Sequence, residues 1–205
     1  YVHAGNADGI FAAPTHVDIG PAPVHVLAAH LNGDNDPDLV TAHRFGGDRV
    51  TVLINDGLGG FSKNEYAVVQ WPEKTAVVDL NADAIPDLLT VNNSSSDIGV
   101  LLGTGGGALA EPVYYSLGFV GPADFDVARI DGDPHWDVIT ANTFNSDLSF
   151  LPGLGDGTFA ADAERIPLSG QTRAVRALDL NGDGRTDLIS LHDEPNFTGI
   201  PDHLS

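Results

Sequence analysis

The chain has 205 residues, of which 42% are hydrophobic, so it is long enough to bury a core. Its formal net charge of −20, from 29 acidic and 9 basic residues, disfavours nucleic acid as a partner because phosphates would be repelled. It contains no cysteine and no run of 18 apolar residues, so we expect neither disulfide bonds nor a membrane span. Because methionine is absent even at position 1, we expect a processed or excerpted piece without its targeting segment.

An acidic motif recurs four times along the chain, at 30–41 (HLNGDNDPDLVT), 79–90 (DLNADAIPDLLT), 129–140 (RIDGDPHWDVIT) and 179–190 (DLNGDGRTDLIS). The first positions of the four copies are therefore 49, 50 and 50 residues apart. A glycine-rich turn recurs in phase with the motif, at 5–11, 55–61, 103–109 and 153–159. A fixed period of this size indicates an array of structural repeats, so each candidate site has equivalent positions in the other repeats.

Each repeat contains four short segments that are typical of β-strands. In the third repeat they are DFDVARI at 124–130, DVITA at 137–141, DLSFLP at 147–152 and ERIPL at 164–168. No stretch has a sustained apolar period of 3.6 residues, so we expect almost no helix. Repeated units of four short strands predict an all-β fold, a β-propeller of four-stranded blades, with a solenoid of stacked hairpins as the alternative.

The repeat boundaries predict about four blades, one of which is split between the two ends of the chain. We expect an N-terminal part at 1–20, blades at 21–69, 70–118 and 119–169, and a partial blade at 170–205. We therefore predict that residues 1–19 pair with the strand at 187–191, within one chain or between two. The open alternatives are a closed four-blade ring, two chains in an eight-blade ring, an excerpt of a longer propeller and a head-to-tail polymer.

The fourth acidic motif has the pattern D-x-N-x-D-G-x-x-D, formed by Asp179, Asn181, Asp183, Gly184 and Asp187. With the hairpin type seen at 142–159, it resembles the FG-GAP/VCBS repeat of integrin α-subunit heads, fungal lectins and many bacterial surface proteins. The resemblance covers nearly the whole chain and implies propeller blades. It also implies that intact acidic loops bind calcium.

The chemistry of the loops agrees with a calcium site, because calcium takes six to eight oxygen ligands from carboxylates, amides and backbone carbonyls. By analogy with the helix-flanked calcium loop, the seventh position should donate its backbone carbonyl. The two intact loops offer the same set of ligands, and that set is Asp179, Asn181, Asp183, the Arg185 carbonyl and Asp187 in the fourth loop, and Asp79, Asn81, Asp83, the Ile85 carbonyl and Asp87 in the second.

The other two loops lack the leading aspartate. His30 replaces it in the first loop, which keeps Asn32, Asp34, the Asp36 carbonyl and Asp38 as candidate calcium ligands. Arg129 replaces it in the third loop, where the candidate ligands are Asp131, Asp133 and Asp137. Arginine cannot ligate a cation, and its guanidinium could instead pair with these acids in place of a metal. For all four loops the alternative is an empty Asx-type turn.

No motif of a hydrolase, a metalloprotease or a phosphate-binding loop is present, so we expect no enzyme. Trp71 and Phe119 occupy equivalent crossovers between repeats, and an exposed aromatic there could stack on a sugar ring or on a partner surface, or pack between blades.

The expected function is therefore a calcium-stabilised extracellular binding or adhesion module, with lectin-like recognition of a glycan or a cell-surface protein through the propeller loops. An extracellular location is expected because extracellular calcium modules bind calcium with a Kd of about 10⁻⁴–10⁻³ M. The alternative is a structural subunit of a surface layer, sheath or fibre, which forms a homo-oligomer or a head-to-tail assembly through its terminal blade.

Overall fold

A computed structural model describes residues 1–45, 48–118 and 120–193. All regular secondary structure in these ranges is β-strand, which confirms the all-β prediction. In the same ranges, no helix has the length and apolar character needed to cross a membrane.

Three antiparallel sheets of four strands make up most of the chain, and in each the strand order follows the sequence. The first sheet contains β1 (Pro23–Ala29), β2 (Asp38–His43), β3 (Arg49–Asn55) and β4 (Phe61–Ala67). The second contains β5 (Pro72–Val78), β6 (Asp87–Asn92), β7 (Asp97–Leu101) and β10 (Val113–Ser116), with the small hairpin β8 (Gly103–Gly105) and β9 (Ala108–Leu109) in its glycine-rich turn. The third contains β11 (Pro122–Ala128), β12 (Asp137–Asn142), β13 (Asp147–Leu151) and β14 (Glu164–Pro167).

A fourth sheet has only two strands among the described residues, β15 (Gln171–Leu178) and β16 (Asp187–Asp193). We call these four sheets blades one to four. The four-stranded blades lie within the segments 21–69, 70–118 and 119–169.

The hydrophobic core lies between consecutive blades rather than within one of them. One cluster joins blade one to blade two, and includes Val40 and Val52 from the former and Leu88 from the latter. Two further clusters join blade two to three and blade three to four. Because both faces of an inner blade are covered, β6 and β12 are buried at every residue. This explains why these strands are apolar in runs rather than in alternation.

The first strands of consecutive blades are also linked by polar contacts around the centre of the array. His25, Lys74 and Asp124 occupy equivalent positions on β1, β5 and β11. Each side chain reaches the backbone of the next blade, and the bonds are Thr75 N–H to His25 Nδ1 at 3.3 Å, Lys74 Nζ to the Phe125 carbonyl at 2.9 Å and Val175 N–H to Asp124 Oδ2 at 3.2 Å. Lys74 also donates to Asp124 itself at 2.6 Å, so these bonds form a connected ladder across the blades.

One pair of charges differs from blade to blade. In blade one, Arg49 on β3 forms an ion pair with Glu65 on β4 at 3.5 Å. In blade three the signs are reversed, since Asp147 on β13 pairs with Arg165 on β14 at 2.9 Å. Blade two has Asp97 at this position, and its carboxylate accepts a hydrogen bond from an asparagine amide instead. Burial raises the pKa of Asp97.

The two ends of the chain do not pair with each other in the described residues. The N-terminal segment folds back on itself through bridges between Val2 and Thr15 and between Gly5 and Phe11. Strand β16 pairs only with β15 there. In the described residues, 1–19 therefore do not join 187–191 within one chain. They form backbone hydrogen bonds with each other, such as Val2 N–H to the Thr15 carbonyl at 2.9 Å, and they line a cavity together with residues of blade one. Pairing between two chains stays a prediction.

Candidate metal centre

The four acidic loops connect the first and second strand of each blade. An antiparallel meander places these loops and the glycine-rich turns at one end of the blades, and the other connections at the opposite end. The third and fifth positions of every loop form Asx turns, in which a side-chain oxygen accepts the backbone N–H two residues later at 2.8–3.1 Å. The loops therefore share this pair of turns despite their different leading residues.

The fourth position has a left-handed backbone conformation in all four loops, and the sixth position has one in the second and fourth loops alone. In the fourth loop Gly182 and Gly184 have φ angles of 79° and 81°, which glycine adopts without steric cost. In the second loop Ala82 and Ala84 adopt φ angles of 60° and 66° at the same positions. Alanine is strained in this conformation, and the second loop keeps it nevertheless.

The leading aspartates bind the backbone of their own loops. Asp179 accepts hydrogen bonds from the N–H groups of Gly182 and Gly184 at 2.7 and 2.8 Å. The bonds from Gly184 and then Gly182 lower the pKa of Asp179, so the carboxylate stays charged. Asp79 accepts the bond equivalent to that of Gly184 from Ala84 at 2.9 Å, and its second bond comes from Asp83 at 3.2 Å, one position later in the loop than Gly182.

The ninth position carries a role that the sequence did not reveal. Asp38, Asp87 and Asp137 are fully buried, although they begin strands. One oxygen of each accepts the N–H of the residue after the leading position, and the other accepts the N–H of a residue at the end of the third strand or just beyond it. The ninth aspartate is therefore a clamp between the acidic loop and the end of the third strand. Asp187 makes the first of these bonds, to Leu180, at 3.0 Å.

The electrostatics around Asp87 favour a cation in its neighbourhood. Burial raises the pKa of Asp87 most strongly, and the hydrogen bonds from Gly103 and Leu80 oppose that effect. The nearby charges of Asp83 and Asp79 raise the pKa by smaller amounts. A divalent cation beside these three carboxylates would remove the repulsion among them.

The third loop brings its carboxylates closest together. One oxygen from each of Asp131, Asp133 and Asp137 lies within 4.8 Å of the others, and this is the only such group of acidic or histidine side chains in the described ranges. Three carboxylates are suitable ligands for a hard cation such as calcium. The third loop, which has Arg129 in place of the leading aspartate, thus has the most compact acidic cluster.

Arg129 does not pair with these acids, contrary to the expectation that it could replace a metal. Its guanidinium lies over the ring of Trp136, 4.7 Å from the ring centre. The stacking is favourable because the face of an aromatic ring carries partial negative charge. It holds the guanidinium of Arg129 away from the acidic cluster. A cavity of about 430 Å³ is lined by the third loop and by Gly184, Arg185 and Thr186 of the fourth.

Of the two aromatic candidates, Trp71 lies at the other end of the blades. It is partly exposed and contacts Phe45, with 5.5 Å between the ring centroids. Phe119 lies outside the described residues.

A comparison with protein-family models matches an FG-GAP-like repeat at residues 30–90 and 129–190, which is more than half of the chain. The chain belongs to the FG-GAP-like repeat family. The matched stretches include all four acidic motifs, which confirms the resemblance inferred from the sequence. A search of the curated proteins found no match.

Two solved structures are similar to this FG-GAP-like chain. One is the crystal structure of BBS1N in complex with ARL6DN, soaked with lead, with a TM-score of 0.58 and 13% identity, covering 85% of this chain and 52% of that one. The other is selenomethionine-substituted virginiamycin B lyase from Staphylococcus aureus, with a TM-score of 0.53 and 15% identity, covering 84% of this chain and 51% of that one. The chain thus spans about half the length of these structures, and the likeness supports the propeller fold alone.

Proposed function

We propose that this FG-GAP-like chain is a calcium-stabilised extracellular binding module with no catalytic role. The observation that carries the proposal is the cluster of Asp131, Asp133 and Asp137, whose oxygens converge within 4.8 Å in a loop of a family that often binds calcium. Two unit charges at that separation repel by about 1 kcal/mol even at the dielectric constant of water. A cation that neutralises them therefore stabilises the folded chain.

The ligands would come from the loops themselves. In the third loop the side chains of Asp131, Asp133 and Asp137 would hold the ion. In the second and fourth loops, Asp79 and Asp179 already accept backbone hydrogen bonds, but each carboxylate oxygen has a further lone pair for a cation. When bound, calcium supplies charge neutralisation and cross-linking within the loop, which is a structural role.

An extracellular location is part of the proposal because of the calcium concentration that such loops require. Extracellular calcium modules bind at about 10⁻⁴–10⁻³ M, a concentration that cytosol does not provide. The net charge of −20 agrees with a chain that works in a calcium-rich medium.

Thermal unfolding in calcium, magnesium and a chelator tests this function. Calcium should raise the melting temperature, and Asp133→Asn and Asp183→Asn should each remove part of the increase. The matched control is Asp156→Asn, since Asp156 also forms an exposed Asx turn but lies in a glycine-rich turn outside the acidic loops. Melting curves that are identical with calcium and with chelator would refute the proposal.

A second candidate function is assembly, and the exposed faces of the terminal blades favour it. Val26 on β1 is 63% exposed, whereas Val175 at the equivalent position on β15 is 1% exposed against blade three. Leu191 on β16 is 64% exposed, whereas its equivalent Val91 on β6 is fully buried.

These two faces are the two halves of the interface that repeats between the inner blades. We therefore propose that blade four of one copy packs on blade one of a second copy, in a closed pair or a head-to-tail assembly. Such an array would serve as a structural subunit of a surface layer, sheath or fibre.

A further inference from the structure

Two aromatic side chains form an exposed corner at the end of the blades opposite the acidic loops. Phe45 follows β2 and Trp71 precedes β5, and their rings meet at an angle of 57° with centroids 5.5 Å apart. Phe45 is 65% exposed and Trp71 is 38% exposed. With Arg44 and Glu73, these residues make up what we call the aromatic corner.

The backbone under both rings is strained. The residue that precedes the proline of each first strand has a left-handed conformation in blades one to three, and it is Ala22, Trp71 and Gly121, with φ angles of 52°, 62° and 56°. A small residue meets this requirement at low cost, whereas a bulky aromatic with positive φ is a steric outlier. Phe45 also has a positive φ, of 57°. Strain of this kind persists at sites where the side chain has a function beyond the fold.

The polar part of the aromatic corner is held in a fixed position. The guanidinium of Arg44 lies 4.9 Å from the centre of the Trp71 ring and 5.3 Å from that of Phe45. Glu73 forms an ion pair with Arg44 at 2.7 Å, which fixes the guanidinium against the rings. The corner therefore combines apolar ring surface with charged hydrogen-bonding groups whose charges cancel.

We propose that the aromatic corner binds a neutral saccharide, an inference that rests on the proposed function as a binding module. The C–H face of a sugar ring packs on an aromatic ring, and its hydroxyl groups can both accept from Arg44 and donate to Glu73. A cationic ligand is disfavoured because Arg44 already lies over both rings. A strongly acidic glycan is disfavoured by the net charge of −20.

Tryptophan fluorescence gives a direct test, because the chain has two tryptophans and Trp136 lies at the opposite end of the blades. In a Trp136→Phe background, Trp71 is the only reporter. Lactose, chitotriose and mannotriose serve as neutral probes, and sialyllactose and heparin as acidic ones. At least one neutral probe should change the emission of Trp71 and saturate, and a glycan array should retain the same sugar class.

Two substitutions separate recognition from folding. Trp71→Gly removes one ring of the aromatic corner, so it should weaken saccharide binding at least tenfold, measured by calorimetry because the variant lacks the fluorescent reporter. It also copies Gly121 of blade three and relieves the left-handed strain, so the melting temperature should be equal or higher. Phe144→Ala is the control, because Phe144 is an exposed aromatic in the equivalent loop of blade three and is not part of the corner. This variant should bind like the wild type.

The outcomes distinguish this inference from the proposed function. If calcium stabilises the protein but no neutral saccharide binds, the saccharide site is wrong and the calcium-stabilised module stands. Unchanged binding by Trp71→Gly, or binding of acidic probes only, would also overturn the inference. If saccharide binding at the corner is seen without any calcium effect, the inference stands and the calcium part of the proposed function falls.

Discussion

Replacing the buried clamp in blade two should destabilise the chain even without calcium. Asp87 is fully buried and accepts the N–H groups of Leu80 and Gly103 at 2.8 and 2.7 Å. Asp87→Ala removes both acceptors and leaves two backbone donors without a partner. The loop then loses its attachment to the end of β7, so the effect does not depend on an ion.

The size of the effect follows from these two bonds. A hydrogen bond to a charged group contributes about 1.5–3 kcal/mol, so losing both costs at least about 3 kcal/mol. For a domain of this length, each kcal/mol changes the melting temperature by roughly 2–4 °C. We therefore expect Asp87→Ala to lower the melting temperature by about 6–12 °C.

The assay is thermal or urea unfolding in excess chelator, with Asp83→Ala as the control from the same loop. Asp83 is exposed, so its replacement should change stability by less than about 0.5 kcal/mol in chelator. Equal losses of stability in both variants, or a loss in Asp87→Ala that appeared only when calcium was present, would refute the clamp role of Asp87.

Three further predictions concern the ion, the pH and the assembly. A hundredfold excess of calcium over its Kd should stabilise the wild type by about 2.7 kcal/mol per site, measured as the difference between melts in calcium and in chelator. Burial lowers the pKa of His43 in the folded state. Below about pH 6.5 the imidazole of the unfolded chain therefore binds a proton that the folded chain does not bind. The free energy of unfolding should thus decrease as the pH falls through that range. His43→Asn, which copies Asn92 and Asn142 at the equivalent positions, should reduce this pH dependence of the melting temperature, and an unchanged dependence would contradict the assignment. In sedimentation experiments Val26→Asp should abolish self-association, and a wild type that is monomeric at high concentration would exclude the assembly.

The sequence predicted the architecture well, because the signal was repeated. The acidic motif and the glycine-rich turn each occurred four times at one period. A wrong structural assignment in one copy could therefore be recognised by comparison with the other copies. The strand segments proposed for the third repeat, such as 137–141 and 147–152, coincide closely with β12 and β13. The alternating Asx turns of the loops also followed from the residue types, since Asn and Asp bind their own backbone two residues on.

The candidate site was less predictable, because its geometry depends on contacts between segments distant in sequence. Asp87 was interpreted as a cation ligand, but its bond to Gly103 could not be inferred from the loop alone. Arg129 was considered as a possible partner of the acids, whereas its guanidinium lies over the aromatic ring of Trp136. Phe45 was missed entirely, although an aromatic directly before two glycines was the signal that could have revealed it.

The ladder of His25, Lys74 and Asp124 was also invisible in the sequence. The three residue types differ in charge and size, so no motif marks their shared position. Their equivalence is apparent only from the strand register, where each lies opposite the fifth residue of the following strand.

The reversed ion pairs of blades one and three have a consequence for how a repeated chain avoids folding wrongly. Blades with one backbone shape could exchange outer strands while the chain is still collapsing. An exchange of β4 with β14 would place Arg49 beside Arg165 and Asp147 beside Glu65, so both mistaken pairings would be repulsive. The charges thus distinguish strands that would otherwise be interchangeable, and no additional residue is needed. A chain with the same ion pair in every blade would lack this electrostatic discrimination. Strand exchange between its own repeats would then be more frequent.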